Sequence, residues 1–131
     1  MTATAGKRIV IADDDSDIRA LMTIAAKRAG VEVVAAVDNG RSALEAVQRG
    51  GIDLAVLDIS MPGLNGIEVA QSIRSDPQNS GTRILMISAS VQLLADGGVV
   101  ADYSDSFMIK PFSPKALTVR IEEMLGSEVP A

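Results

Sequence analysis

The chain has 131 residues, with 12 Lys+Arg against 17 Asp+Glu, and contains no cysteine, histidine or tryptophan. That length suits one domain with its own core. The missing residue types exclude disulfides, thiol chemistry, zinc knuckles, His-based triads and imidazole metal sites, so any metal must be held by oxygen.

The elements follow in chain order. Residues 1–6 read as a tail, too short and too polar for a hydrophobic signal core. A single domain is expected over 7–126, and 127–131 read as a second short tail. Arg8–Ala12 is the first predicted strand. A helix follows, with Asp15 or Ser16 as cap, an inward stripe of Ile18, Leu21, Met22, Ala25 and Ala29, and Gly30 as stop signal. Residues 31–37 predict a second strand. Residues 41–49 predict a second helix, with Leu44 and Val47 inward and Gly50-Gly51 ending it. The third strand is expected over 53–57. Its helix runs from Gly66 to about Ser75 on Ile67, Ala70 and Ile73, and Pro77 stops it.

Residues 83–87 are the fourth strand. The fourth helix, over 91–100, is expected to be short or interrupted, because Gly97 and Gly98 each cost about 1 kcal/mol in a helix interior. Residues 107–109 are the fifth strand. The fifth helix has Ser113 as N-cap, Pro114 in first position and a stripe of Leu117, Ile121, Met124 and Leu125, with Gly126 ending it. The strands are nearly continuous apolar runs, as expected when both faces are covered. Five βα units predict an α/β fold with a doubly wound parallel sheet, ordered 2-1-3-4-5 in its flavodoxin-like form.

Carboxylates sit at the strand ends. Asp13, Asp14 and Asp15 follow strand one, and Asp58 follows strand three. In the 2-1-3-4-5 order these strands are neighbours, so Asp13, Asp14 and Asp58 converge where open α/β sheets bind ligands. Convergent carboxylates repel, and a hard cation, Mg²⁺ or else Mn²⁺, resolves the conflict. Ser88 at the end of strand four and Lys110 at the end of strand five add a hydroxyl and an ammonium. Together they suit a phosphoryl group on a carboxylate, which needs charge neutralisation and hydrogen-bond donors.

The segments from Ile9 to Asp15, from Asp58 to Gly66 (DISMPGLNG), Ser88-Ala89, and from Phe107 to Phe112 (FMIKPF) resemble the response-regulator receiver domains of two-component signalling. The resemblance covers roughly 7–125. It implies that Asp58 accepts a phosphoryl group from a phosphohistidine on a sensor histidine kinase or histidine phosphotransfer protein. It implies direct Mg²⁺ ligation by Asp14, Asp58 and the Ser60 carbonyl, with Asp13 acting through metal-bound water. Ser88 would hydrogen-bond the phosphoryl group and Lys110 would pair with it. Phe107 matches an aromatic switch position, and Pro111 follows Lys110 where the family commonly has a cis bond. Ser88 and Phe107 would move together and alter the face of helix 4, strand 5 and helix 5, which a downstream effector would read. The expected protein is cytoplasmic, a monomer or phosphorylation-dependent dimer. It has no turnover substrate, catalysing only its own phosphorylation and dephosphorylation.

The chain departs from the pattern in two places. Tyr103-Ser104 replace the usual Gly-Ala before strand five, which predicts a remodelled loop. No Lys or Arg occurs from Ile84 to Ile109, so helix 4 cannot supply the basic half of an alternating-charge dimer interface; Leu93, Leu94, Val99 and Val100 stand there instead. Ser60 and Ser90 flank the phosphoryl position with small side chains, which predicts no exceptional phosphoryl lifetime.

Other readings fit the residues less well. A phosphorylation-independent binding module of the same fold would not need all five site positions filled. Aspartyl-phosphate hydrolases usually carry a second Asp where this chain has Ser60. The first βα turn lacks a glycine-rich phosphate loop. The acidic balance and the three aromatics (Tyr103, Phe107, Phe112) give no reason for direct nucleic-acid binding. No apolar run approaches the ~18–20 residues needed to span a bilayer.

Overall fold

The structure, a computed structural model, describes residues 5–79, 81–89 and 103–126. Five strands form one parallel sheet in the order β2-β1-β3-β4-β5. They are β1 (Arg8–Ala12), β2 (Glu32–Val37), β3 (Leu54–Asp58), β4 (Arg83–Ser88) and β5 (Ser106–Ile109). The described helices are α1 (Ser16–Arg28), α2 (Gly40–Gln48), α3 (Gly66–Ser75) and a final α4 (Pro114–Gly126), with a 3₁₀ turn at Pro77–Asn79. The predicted helix over 91–100, with Gly97, Gly98, Leu93, Leu94, Val99 and Val100, lies outside the described residues, as do Ser90 and both chain ends.

The sheet separates two cores, because successive strand residues point to opposite faces. Val10, Ala12, Ala55, Leu57, Ile84 and Met86 face α2 and α3. Ile9, Ile11, Leu54, Val56, Leu85 and Ile87 face α1 and α4. These inner residues of β1, β3 and β4 are almost fully buried. The expectation of strands covered on both faces holds for these three only. At the sheet edges, β2 is mostly half-exposed and β5 alternates.

Two helices are rotated from their predicted faces. On α1, Leu21 is exposed and the contact falls on Met22, Ala25 and Ala26, because small alanines let the helix lie close to the sheet. On α3, Val69 is buried with Ala70 and Ile73, while Ile67 is half-buried. On α2, Ala43, Ala46 and Val47 are inward and Leu44 is half-buried. The α4 stripe is buried as predicted. The Thr118 hydroxyl donates to the Ala25 carbonyl at 2.8 Å and ties α4 to α1.

Local signals set the ends. The Asp15 side chain accepts from the Asp17 and Ile18 amides and caps α1. Gly30 follows that helix at φ +85°, a left-handed conformation that suits glycine. Asn65 and Glu68 form a reciprocal capping box that starts α3. The Ser113 hydroxyl accepts from the Ala116 amide at 3.0 Å at the start of α4.

Candidate functional site

Four strand ends meet at one rim. β1 delivers Asp13 and Asp14, β3 ends on Asp58, β4 ends on Ser88, and Lys110 follows β5. The register pairs Ala12 with Leu57 and Asp58 with Ile87, so these ends lie level. The turn after Asp58 requires glycine at its far side. A Cβ on Gly66 would stand 2.4 Å from the Asp58 carbonyl oxygen and 2.9 Å from the Ile59 Cα, so α3 can start against the site only with no side chain there.

Asp13 is held by hydrogen bonds at its backbone groups and at one carboxylate oxygen. Its amide donates to the Val37 carbonyl at 3.0 Å, and its carbonyl accepts from Arg19 Nη1 at 2.8 Å. Its Oδ1 accepts from the Asp15 amide at 2.9 Å. Its Oδ2 is sealed from solvent and accepts no well-aligned hydrogen bond; it faces the Lys110 ammonium at 2.8 Å. Lys110 Nζ also lies 3.3 Å from Asp58 Oδ2.

One ammonium therefore serves two buried carboxylates, and the charges do not balance. Burial pushes the Asp58 carboxyl up to about 6, and the Asp13 charge adds to it. Lys110 and the Ser60 backbone amide pull it only part of the way back. For Lys110, burial acts downward but is outweighed by the close contact with Asp13 and by the two carboxylate charges, so its proton is held more tightly than usual.

Asp14 is exposed on the same rim, and its carboxylate makes no hydrogen bond or ion pair with another described residue. Asp13, Asp14 and Asp58 can each bring one oxygen within 4.8 Å of the others. A buried carboxylate oxygen without an aligned donor, excess negative charge and an all-oxygen donor set together fit a hard divalent cation. Asp14 and Ser60 also line an open hollow of about 550 Å³ with Met61, Asn65 and Ile67. A larger hollow, about 970 Å³, lies near the opposite end of the sheet between β5 and α4 and includes none of the acidic cluster.

The response regulator receiver domain profile matches residues 9–122. The chain belongs to this family. Its relatives include the DNA-binding response regulator MtrA of Mycobacterium tuberculosis, 34% identical over 122 residues, covering 93% of this chain and 52% of that one. The receiver domain thus spans about half the length of the curated relatives it matches. Among solved structures it is similar to the chemotaxis response regulator CheY4 of Vibrio cholerae, at 26% identity and TM-score 0.83, covering 92% and 100% of the two chains. It is also similar to the response regulator TrrA of Thermotoga maritima in complex with Mg²⁺ and BeF, at 32% identity and TM-score 0.79, covering 91% and 99%.

The other predicted residues of this receiver domain are placed as follows. Ser88 is buried at the end of β4. Its carbonyl accepts the Lys110 amide at 2.8 Å, which extends the β4–β5 pairing to the site. Ser60 is exposed at the rim. Phe107 is 47% exposed, which excludes a plain core aromatic. Its carbonyl accepts from Arg120 Nη1 at 2.9 Å. The Lys110–Pro111 bond is cis. Tyr103 packs on the α2–α3 core, so the departure from Gly-Ala adds a packed side chain there.

The sequence reading missed Arg19, which reaches back to Asp13. Its only signal was a cation placed one turn into a helix, against the dipole. The expectation of no nucleic-acid contact does not extend to a longer protein, because curated relatives about twice this length are DNA-binding regulators. Among the described residues, no helix is long and apolar enough to cross a membrane.

Proposed function

We propose that this receiver domain takes a phosphoryl group onto Asp58 from a phosphohistidine of a sensor histidine kinase or phosphotransfer protein. The chain has no histidine, so the donor imidazole lies outside these 131 residues. An Asp58 oxygen forms the new P–O bond as the donor's P–N bond breaks, and the electron pair of that bond stays on the imidazole nitrogen. Lys110 pairs with the phosphoryl oxygens and Ser88 donates a hydroxyl to them, as preorganised groups would.

Asp13, Asp14, Asp58 and the Ser60 carbonyl would hold Mg²⁺, with Asp13 acting through bound water. When bound, the cation would neutralise charge gathered on the phosphoryl oxygens. Phosphorylation replaces the Asp58 carboxylate by an acyl phosphate that itself carries about −1.5 to −2 charge beside Lys110 and Ser88. A change in the contacts of those two groups shifts the balance between two conformations, with Phe107 following Ser88. The face of β5 and α4 then presents a different surface to an effector, in a cytoplasmic phosphorelay.

The carrying observation is the shared ammonium: Lys110 lies 2.8 Å from Asp13 and 3.3 Å from Asp58, which stand at the ends of the neighbouring strands β1 and β3. The test is incubation with a small-molecule phosphodonor and Mg²⁺, read by intact mass. One phosphoryl group is expected on the wild type and none on Asp58→Asn or in EDTA. No gain, or a gain that survives Asp58→Asn, overturns the reading.

A further inference from the structure

We infer that Arg19 is a positioning residue for the cation site: by holding the carbonyl of Asp13 it orients the peptide that carries Asp14, and so sets the affinity of the cluster for its metal. The inference rests on the reading of this cluster as a cation site. The bond is charge-assisted and short, from Arg19 Nη1 to the Asp13 carbonyl at 2.8 Å across six residues. Arg19 is half-buried, and its own amide donates to the Asp15 carbonyl at 2.9 Å, so the side chain springs from the turn that it clamps.

The peptide unit is planar, so fixing the Asp13 carbonyl fixes the position from which the Asp14 Cα departs. The next peptide is fixed by the Asp15 amide on Asp13 Oδ1 at 2.9 Å. Asp14 has no side-chain anchor among the described residues, and these two peptide planes are what place it. Of the three clustered acids it is the exposed one, while Asp13 and Asp58 are buried. A cation near a helix N-terminus opposes the helix dipole. A role for Arg19 in helix stability alone therefore leaves its position unexplained, and the Asp13 contact explains it.

Outer groups that orient metal ligands typically change metal affinity by about 10–100-fold when removed. The test compares wild type, Arg19→Met and Arg19→Lys by Mg²⁺ calorimetry, with thermal melting in EDTA and far-UV circular dichroism as folding controls. Phosphorylation rate is followed against Mg²⁺ concentration. Arg19→Met is expected to weaken Mg²⁺ binding about tenfold, to shift the Mg²⁺ concentration for half-maximal rate by the same factor, and to leave the rate at saturating Mg²⁺ unchanged. Arg19→Lys keeps a charged donor and recovers part of the affinity.

A lower melting temperature with unchanged Mg²⁺ affinity overturns the inference and leaves a structural role. A rate loss that persists at saturating Mg²⁺ overturns it too. If Arg19→Met does not fold, the same comparison is made with Arg19→Ala, which has no side-chain donor and whose wild-type affinity would overturn the inference. A wild-type protein that binds no Mg²⁺ overturns the cation site itself, and so fails separately from the role of Arg19.

Discussion

Replacing Asp58 by Asn should stabilise the metal-free domain, although it removes the reactive group. Asp58 is 3% exposed, lies beside buried Asp13 and shares one ammonium with it. A carboxyl held at about 6 instead of 3.8 is disfavoured in its ionised form by about 3 kcal/mol, at about 1.36 kcal/mol per pH unit. The folded-state value is raised, so the ionised carboxylate opposes folding. The penalty is full above pH 6, shrinks between 6 and 3.8, and is absent below.

Asn keeps the shape and sheds the charge. The expected gain is about 2 kcal/mol at pH 7.5, after about 1 kcal/mol for desolvating the amide, or roughly 6–10 °C in melting temperature. Urea denaturation in EDTA at several pH values measures it. By pH 4.5 the penalty falls to about one-third, which only offsets the cost of desolvating the amide, so the gain should vanish there. Excess Mg²⁺ should shrink it, because the wild type gains more from the cation. Equal stability of the two proteins at pH 7.5 in EDTA, or a gain independent of pH, would refute the reasoning.

Other substitutions test the same frame. Lys110→Met leaves Asp13 Oδ2 buried without a cation and should cost about 3 kcal/mol at pH 7.5 in urea melts. Gly66→Ala drives a Cβ into the Asp58 carbonyl; it should cost about 1–3 kcal/mol and slow phosphorylation, measured by melting and by mass gain over time. Leu117→Ala empties a fully buried position between α4 and the sheet and should cost about 2–5 kcal/mol, with Mg²⁺ affinity of the folded fraction unchanged by calorimetry.

The site was legible because the strands end abruptly. Ile9, Val10, Ile11 and Ala12 are buried without exception, and such a run can stop only where polar groups find solvent, metal or partners. Asp13 and Asp58 mark those stops, and the order 2-1-3-4-5 brings them together. Lys110 was legible for the same reason, one residue beyond β5.

Helix rotation was less legible. Leu21 and Met22 are equally apolar, and which of them faces the sheet depends on how closely Ala25 and Ala26 let α1 approach. The half-exposed edges of β2 and β5 follow from sheet order, which a single strand's composition does not encode. The reach of Arg19 to the Asp13 carbonyl depends on a long side chain folding back along its own helix. No apolar period marks such a contact, so the sequence pattern does not show it.

The most direct test of the account is the location of the phosphoryl group. After reaction with a phosphodonor and Mg²⁺, borohydride reduces an aspartyl phosphate to homoserine, and peptide mass spectrometry then locates the changed residue. Homoserine at position 58 alone, lost when Mg²⁺ is withheld, is the predicted result. Homoserine at position 13 or 14, a phosphate retained on a serine, or homoserine at position 58 that needs no divalent cation would contradict it.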